Sequence, residues 1–276
     1  MTDKLADLLK VAQKASFEAG KRILEIYHTD FEVNFKEDTS PLTLADASAN
    51  KMIMSYLHTT GIPIISEENQ LLPYFERKHW DTFWLVDPLD GTKEFIKKND
   101  EFTVNIALIK NGNPVLGVIY VPVKRELFYG THQGAFKVEN ISNFSELNLA
   151  AKVSLKPKKT TSDIVVVVSR SHLSKETEIF INQIKEDKTI NSVETIAAGS
   201  SLKVCMVAEG KADVYPRFAP TMEWDVAAGH AICNAAGVEV LNVDTGGTLE
   251  YNKENLLNPS FVVGDRFGSI IASLHI

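Results

Sequence analysis

The amino-acid sequence predicts a mixed α and β protein built from two halves. Two long helical patterns open the chain, and a succession of strand patterns follows them. In the second half, helix and strand patterns alternate to the end. The 276 residues suffice for one large domain or two small ones, and a hydrophobic content of 44% is that of a globular protein rather than a disordered one.

In the first half, apolar residues recur at helical spacing over residues 5–27 and 45–59, which predicts two amphipathic helices. Short apolar runs then predict strands over residues 62–65, 83–86, 103–110, 115–120 and 126–129. The sequence NGNP at residues 111–114 is typical of a hairpin turn, and residues 133–136 add another turn and strand edge. The polar, lysine-rich stretch 142–159 is interpreted as a weak strand or connector.

The second half carries shorter elements. Its strands are predicted over residues 163–169, 193–197, 212–215, 238–241 and 261–264. Its helices are predicted over residues 176–184, 201–209, 226–236 and 267–274. Gly210 and Gly237 follow two of these helices and are typical C-cap residues. We expect the halves to comprise residues 1–155 and 156–276 and to share an interface.

The net charge, the N-terminal residues and the cysteine spacing argue against several classes of protein. The formal charge is -7, with 36 acids against 29 bases, which argues against a nucleic-acid-binding surface. Asp3 and Asp7 are not followed by an apolar run, so no signal peptide is expected, and no stretch approaches the ~18 apolar residues of a membrane span. Cys205 and Cys233 stand far apart, without a CxxC motif or a Cys/His cluster. They predict two buried thiols in a reducing cytoplasm, rather than a zinc site or a disulfide.

The strongest chemical signal is the segment WLVDPLDGT at residues 84–92. An apolar strand runs into Asp87, and Pro88 is expected to end it in a turn. Asp87 and Asp90 can then face one side, with the Leu89 carbonyl between them. Carboxylates and a backbone oxygen are ligands for a hard cation such as Mg²⁺. A solvated Asp-Gly turn is the ordinary alternative.

The two residues that follow suit an anion. Gly91 permits a tight bend close to a ligand. Thr92 is expected to cap a short helix, whose free N–H groups would suit a phosphate.

Three further segments place acids where a strand ends or a helix begins. Glu67 and Glu68 follow an apolar strand, Asp46 lies at the start of the second helix, and Asp225 precedes the apolar helix at residues 226–236. Each has an ordinary interpretation when taken alone. An acidic pair usually faces water, and an aspartate at a helix start is usually an N-cap.

Taken together, these segments resemble the signature set of the inositol-monophosphatase superfamily of Mg²⁺-dependent, lithium-sensitive phosphatases. The resemblance covers most of the chain. DPLDGT at residues 87–92 and WDVAAGH at 224–230 are its most specific segments, supported by the acidic pair at 67–68 and SPLTLAD at 40–46. It implies an inositol-monophosphatase-like sugar-phosphatase fold, a layered αβαβα sandwich, with most metal ligands in the N-terminal half.

The resemblance also implies a site for two or three Mg²⁺ ions. Their ligands would be Glu67, Asp87, the Leu89 carbonyl, Asp90 and Asp225, with Asp87 bridging two ions. Asp46 and Thr92 would form a dyad that orients or activates the attacking water, and Glu67 would assist. Glu68 would support these ligands without binding a metal ion itself.

Other segments resemble one branch of the superfamily, the bacterial 3′(2′),5′-bisphosphate nucleotidases of sulfate assimilation. They are DGTKEFI at residues 90–96, SRSH at 169–172, GSSLK at 199–203 and YPR at 215–217. A substrate with two phosphates needs a second anion site. The substrate-binding residues would be Gly91, Thr92, His172, Ser200, Lys203 and Arg217. A lysine on an amphipathic helix is otherwise most often a solvated charge.

The expected reaction is Mg²⁺-dependent hydrolysis of adenosine 3′,5′-bisphosphate to AMP and phosphate in the cytoplasm. Loose association with the inner membrane face, the oligomeric state and the adenine site stay open. An inositol-monophosphate or sugar-phosphate phosphatase would share the metal motifs, so only the GSSLK and Arg217 region separates it from a nucleotidase. A non-catalytic Mg²⁺-binding regulatory protein is the alternative from another class, and the Asp46–Thr92 pair argues against it.

Overall fold

The structure is a computed structural model that describes residues 2–30, 33–35, 41–148, 151–158, 162–170, 173–265 and 267. Within these residues the α-helices are Thr2–Tyr27 (α1), Leu44–Leu57 (α2), Tyr74–Arg77 (α3), Thr92–Ile96 (α4), Lys175–Glu186 (α5), Leu202–Ala208 (α6) and Glu223–Ala236 (α7). Short 3-10 turns span His58–Thr60 and Phe144–Asn148.

The strands lie between these helices. In the first half they are Val33–Phe35 (β1), Pro41–Thr43 (β2), Ile64–Ser66 (β3), Thr82–Asp90 (β4), Thr103–Lys110 (β5), Asn113–Val121 (β6), Glu126–Thr131 (β7), Gly134–Val138 (β8) and Val153–Ser154 (β9). In the second half they are Asp163–Ser169 (β10), Ser192–Ala198 (β11), Tyr215–Arg217 (β12), Val240–Asn242 (β13) and Phe261–Val263 (β14).

Strands β3 to β9 form one large sheet in sequence order. The β3–β4 pair is parallel and the other pairs are antiparallel. In the second half, β10 pairs in parallel with β11, and β12, β14 and β13 form an antiparallel group. A bridge from Val166 to Val214 brings the two groups together.

The layers follow from the alternation of side chains along the strands. Trp84 and Val86 of β4 lie in the core under α1 and α2, whereas Phe83 and Leu85 lie in the core shared with α6 and α7. On the far side of α6, the strand β10 packs against α5 through a third core. The order is helices, large sheet, helices, smaller strand groups and helix, which confirms the αβαβα sandwich.

Two glycines let α7 lie close to the large sheet. Gly117 of β6 and Gly130 of β7 are cross-strand partners. A Cβ at Gly117 would lie 2.1 Å from the Ala228 oxygen, and one at Gly130 would lie 2.7 Å from the Ile232 Cα. Helix α7 of the second half therefore packs directly on a sheet of the first half. The division between residues 155 and 156 stays a prediction.

Some sequence predictions differ from the structure. Strand β4 does not end at Asp87: it continues to Asp90 through a bulge that contains Pro88. The hairpin of β1 and β2 and the short helix α3 were not predicted, and β12 begins later than the predicted strand at 212–215. Of the terminal helix predicted at 267–274, all but Phe267 lies outside the described residues.

No helix in the described part of the chain is long and apolar enough to cross a membrane.

Candidate active site

Carboxylates from three elements converge at one edge of the large sheet. Glu67 follows β3, Asp87 lies near the end of β4, and Asp225 lies in the first turn of α7. Each offers a carboxylate oxygen, and these three oxygens lie within 4.8 Å of one another. The structure thus brings together three of the predicted metal ligands.

The bulge in β4 places Asp87 and Asp90. Asp87 pairs with Asn105 of β5 and Asp90 pairs with Thr103, so two residues of β4 face one residue of its partner. The Leu89 amide turns inward and donates to Asp87 Oδ1 at 3.0 Å. Pro88 fits here because the bulge frees its position from the hydrogen-bond ladder.

Asp90 is held by polar groups from both halves. Its Oδ2 atom accepts hydrogen bonds from Ser201 Oγ at 2.7 Å and from Asn105 Nδ2 at 3.3 Å. Asn105 also donates to Ser201 Oγ at 2.8 Å, and Ser201 Oγ lies 3.0 Å from the Asp225 carbonyl oxygen. The second serine of GSSLK therefore supports the carboxylate of Asp90, one of the predicted metal ligands. The motif suggested substrate contacts, and the support from Asn105 and Ser201 was not predicted.

The buried carboxylates raise one another's pKa values. Burial, followed by the charges of Glu67, Asp90 and Asp225, raises the pKa of Asp87 well above its usual range. Burial and the charge of Asp90 likewise raise the pKa of Asp225, and the hydrogen bond from the Met222 amide opposes this rise. A cluster of hard oxygen donors with mutual repulsion fits a divalent cation such as Mg²⁺, which would offset that repulsion.

Asp46 and Thr92 are in contact. Thr92 Oγ1 donates to Asp46 Oδ1 at 3.2 Å and lies 3.4 Å from the Leu89 carbonyl oxygen. The other oxygen of Asp46, Oδ2, accepts from the Thr43 amide at 2.8 Å and from Thr43 Oγ1 at 2.6 Å. Asp46 is only 2% exposed, and burial raises its pKa while the bonds from Thr43 lower it. One carboxylate thus serves a helix cap and the contact with Thr92.

The helix starts differ in detail from the predictions. Thr43 is the N-cap of α2 and Asp46 is its third helical residue, in a capping box. Thr92 does not cap α4. Gly91 occupies the N-cap position with φ +92°, and Thr92 is the first helical residue. Its hydroxyl is turned to Asp46 instead.

A cavity of about 150 Å³ adjoins the carboxylates. Asp90 and Asp225 line it, and so do four of the predicted substrate-binding residues, Gly91, Ser200, Lys203 and Arg217. His172 lies outside the described residues. The cavity therefore has predicted metal ligands and basic side chains around the same space.

The two basic side chains are held differently. Lys203 is 5% exposed, donates to the Ser200 carbonyl and lies 5.4 Å from the centre of the Tyr215 ring. Burial lowers the pKa of Lys203 to about 8, and Arg217 adds to this effect while Asp90 opposes it. Arg217 donates from Nη2 to the Pro220 carbonyl at 3.1 Å. Within the described residues its buried Nε atom has no hydrogen-bond partner.

Comparison with known proteins gives a consistent result. Residues 4–274 match the model of the Inositol monophosphatase family. The chain is 45% identical over 251 residues to the 3′(2′),5′-bisphosphate nucleotidase CysQ of Salmonella typhimurium, covering 89% of this chain and 94% of that protein. The crystal structure of CysQ from Bacteroides thetaiotaomicron superposes with a TM-score of 0.84 at 48% identity, covering 94% of this chain and 97% of that one. The extragenic suppressor protein suhB from Bartonella henselae (TM-score 0.77, 23% identity, 98% of this chain and 100% of that one) shares the fold.

Proposed function

This chain belongs to the inositol monophosphatase family, and we propose that it is a 3′(2′),5′-bisphosphate nucleotidase that converts adenosine 3′,5′-bisphosphate to AMP and phosphate. One observation carries the proposal: a single cavity has metal-site acids, Asp90 and Asp225, and basic side chains, Lys203 and Arg217, in its wall. Such a cavity suits a substrate with two phosphates. The similarity to the CysQ nucleotidases supports the same substrate class.

The carboxylate cluster would hold two or three Mg²⁺ ions. Its ligands would be Glu67, Asp87, the Leu89 carbonyl, Asp90 and Asp225. Bound ions supply positive charge that neutralises the phosphate ester, makes a water molecule more acidic and stabilises the leaving oxygen. With these acids engaged as metal ligands, none would be free to form an aspartyl-phosphate intermediate, and water would be the nucleophile.

Thr92 and Asp46 would position that water. The Thr92 hydroxyl proton points to Asp46 Oδ1, so the Thr92 oxygen retains lone pairs that can accept a hydrogen bond from the water. Asp46 is itself fixed by Thr43, which keeps the pair in one orientation. Glu67 would help to hold the water. In-line displacement at phosphorus depends mainly on such positioning.

The basic side of the cavity would bind the second phosphate. Lys203 and Arg217 would supply charge, and Ser200, which also lines the cavity, would supply a hydroxyl. A bound phosphate dianion would keep Lys203 protonated, because a nearby negative charge raises the pKa of an amine. Gly91 and Thr92 would contact the phosphate that is cleaved, and His172 would join the second site.

Cytoplasmic location is part of this proposal. Cys205 and Cys233 are both free and buried, as expected in a reducing compartment. Cell fractionation would test it, with recovery from a secreted fraction as the contrary result.

A substrate comparison tests the proposed activity. Phosphate release is measured from adenosine 3′,5′-bisphosphate, inositol 1-phosphate and fructose 1,6-bisphosphate, with Mg²⁺, with added Li⁺ and after chelation. We expect the nucleotide to be preferred, chelation to abolish turnover and Li⁺ to inhibit it. A preference for inositol 1-phosphate would favour the family's other activity. Binding of Mg²⁺ without turnover of any of the three would favour a regulatory protein.

A further inference from the structure

An ion pair outside the cavity joins the two halves. Glu101 lies between α4 and β5 of the first half, and Arg170 follows β10 of the second. Arg170 Nε donates to Glu101 Oε2 at 2.7 Å, and Arg170 Nη2 donates to Glu101 Oε1 at 2.8 Å. Arg170 Nη2 also donates to the Ala197 carbonyl at 2.9 Å. Two parallel bonds between a guanidinium and a carboxylate fix orientation as well as distance.

Glu101 also holds residues 199–203, the segment that carries Lys203 on the basic side of the cavity. The Gly199 amide donates to Glu101 Oε2 at 2.8 Å. Burial alone would raise the pKa of Glu101, but the hydrogen bonds and charge of Arg170, with the Gly199 amide, lower it below its usual value. Glu101 therefore stays ionised and connects β10, the end of β11 and its own half.

Gly91 and Gly199 have no room for a side chain, because atoms of neighbouring segments lie close to both. A Cβ on Gly91 would lie 3.1 Å from the Glu101 carbonyl oxygen and 3.1 Å from the Ser200 Cβ. A Cβ on Gly199 would lie 2.8 Å from the Glu94 Cγ. Ser200 itself has a left-handed backbone, with φ +50°, and its carbonyl accepts from Lys203. A shift of residues 199–201 would thus move Lys203 relative to Gly91.

The spacing between the two anion sites matters only to a substrate that reaches both. Gly91 and most of the metal-site carboxylates belong to the first half, whereas Lys203 and Arg217 belong to the second. We propose that Glu101 and Arg170 are positioning residues that set this spacing and thereby determine the preference for a bisphosphate over a monophosphate, an inference that rests on the proposed nucleotidase function.

The charges of the pair make the proposal testable. Removing Glu101 takes a negative charge away from an anion-binding region, which by simple electrostatics strengthens binding of the substrate. Removing Arg170 takes a positive charge away and weakens it. A positioning role predicts the opposite pattern: either loss releases the same segment, so both losses weaken binding of the bisphosphate.

The variants are Glu101→Ala, Arg170→Ala, the double variant and the conservative Arg170→Lys. Values of kcat and KM are measured for adenosine 3′,5′-bisphosphate and adenosine 3′-monophosphate at saturating Mg²⁺. We expect each alanine variant to raise KM for the bisphosphate about 10-fold while kcat changes less than about 3-fold, since small misplacements of binding groups have effects of this order. For the monophosphate, kcat/KM should stay within about 3-fold. The double variant should resemble the single ones, because both remove one interaction.

A matched control is Arg22→Ala, which removes an exposed arginine paired with Glu25 on α1, and it should leave both substrates unaffected. Arg170 is 46% exposed and Glu101 18%, so their pair contributes little to folding and the variants should fold. Arg170→Lys, which keeps the charge but not the paired bonds, should fall between wild type and Arg170→Ala.

Three outcomes are decisive. A lower KM for the bisphosphate in Glu101→Ala, with a higher KM in Arg170→Ala, would mean that charge or direct phosphate contact governs binding, and would overturn the inference. So would an unchanged ratio of the two substrates in folded variants of an enzyme that prefers the bisphosphate. A wild-type enzyme with no preference for the bisphosphate would instead overturn the proposed function and, with it, this inference.

Discussion

Helix α7 carries Asp225, and its position depends on the absence of a side chain at Gly117. A Cβ there would lie 2.1 Å from the Ala228 carbonyl oxygen, and Cβ contacts below 3.0 Å are essentially never seen. In Gly117→Ala the helix must therefore retreat by about 0.9 Å, or the strand must bend by as much. Asp225 lies three residues before Ala228 on the same helix, so its carboxylate would move away from Asp87.

We expect Gly117→Ala to lose stability by about 1–3 kcal/mol through overpacking. Activity should fall by about 100-fold, because a shift near 1 Å at a catalytic constellation has effects of that size. The half-saturating Mg²⁺ concentration should also rise. The assay is phosphate release titrated with Mg²⁺, beside thermal unfolding.

The matched control is Gly247→Ala. At Gly247 a Cβ would approach only the Thr245 hydroxyl, at 3.5 Å, and φ is not in the left-handed region. It should leave activity and Mg²⁺ dependence unchanged. Wild-type activity and Mg²⁺ dependence in a folded Gly117→Ala protein would refute the view that this close contact positions Asp225.

The other predictions concern the metal site and the second phosphate. Asp90→Asn should give folded protein whose kcat/KM is reduced at least 100-fold, as measured by phosphate release; wild-type turnover would remove Asp90 from the site. Ser201→Ala should raise the half-saturating Mg²⁺ concentration about 10-fold, because it frees the carboxylate of Asp90, a proposed metal ligand. Ser200→Ala should mainly raise KM for the substrate. If the two variants changed the Mg²⁺ requirement and KM equally, this division of roles would be wrong. Because burial lowers the pKa of Lys203 to about 8, the amine loses its charge as pH rises through that value, so KM for the bisphosphate should increase between pH 7 and 9. Lys203→Arg, which stays charged, should flatten that profile, and the same rise in KM in both proteins would exclude Lys203 as its cause.

The strands formed by continuous apolar runs were predicted most accurately. The strands β5 and β10 have the predicted bounds, since each is a run of apolar residues closed by polar or turn residues. The antiparallel pair of β1 and β2 was not predicted because each strand has only three residues. Such short strands show no clear local pattern and are defined by their pairing. The end of β4 was predicted too early because a proline ordinarily ends a strand, whereas Pro88 lies in a bulge that lets the strand continue.

Some residues of the candidate site could be predicted from the sequence and others could not. Its acidic segments could be recognised from the sequence because in combination they resemble the signature set of a known family, although each segment alone has an ordinary interpretation. Asn105 and Ser201 could not, because their roles depend on hydrogen bonds between β5 and the start of α6, which are far apart in sequence. Glu101 was missed for the same reason: its partners, Arg170 and Gly199, belong to the other half.

The helix starts have a consequence for folding without ions. Asp46 and Asp225 are each the third residue of a 14-residue helix, and each gives one oxygen to the backbone amide that precedes its helix, at 2.8 and 2.9 Å. Both acids therefore lie at the positive end of a helix macrodipole, which stabilises a carboxylate there. Local helix formation sets the orientation of these two acids and offsets part of the cost of burying each carboxylate. We therefore expect the apoprotein to fold first and to take up cations afterwards, with two of its acids already aligned.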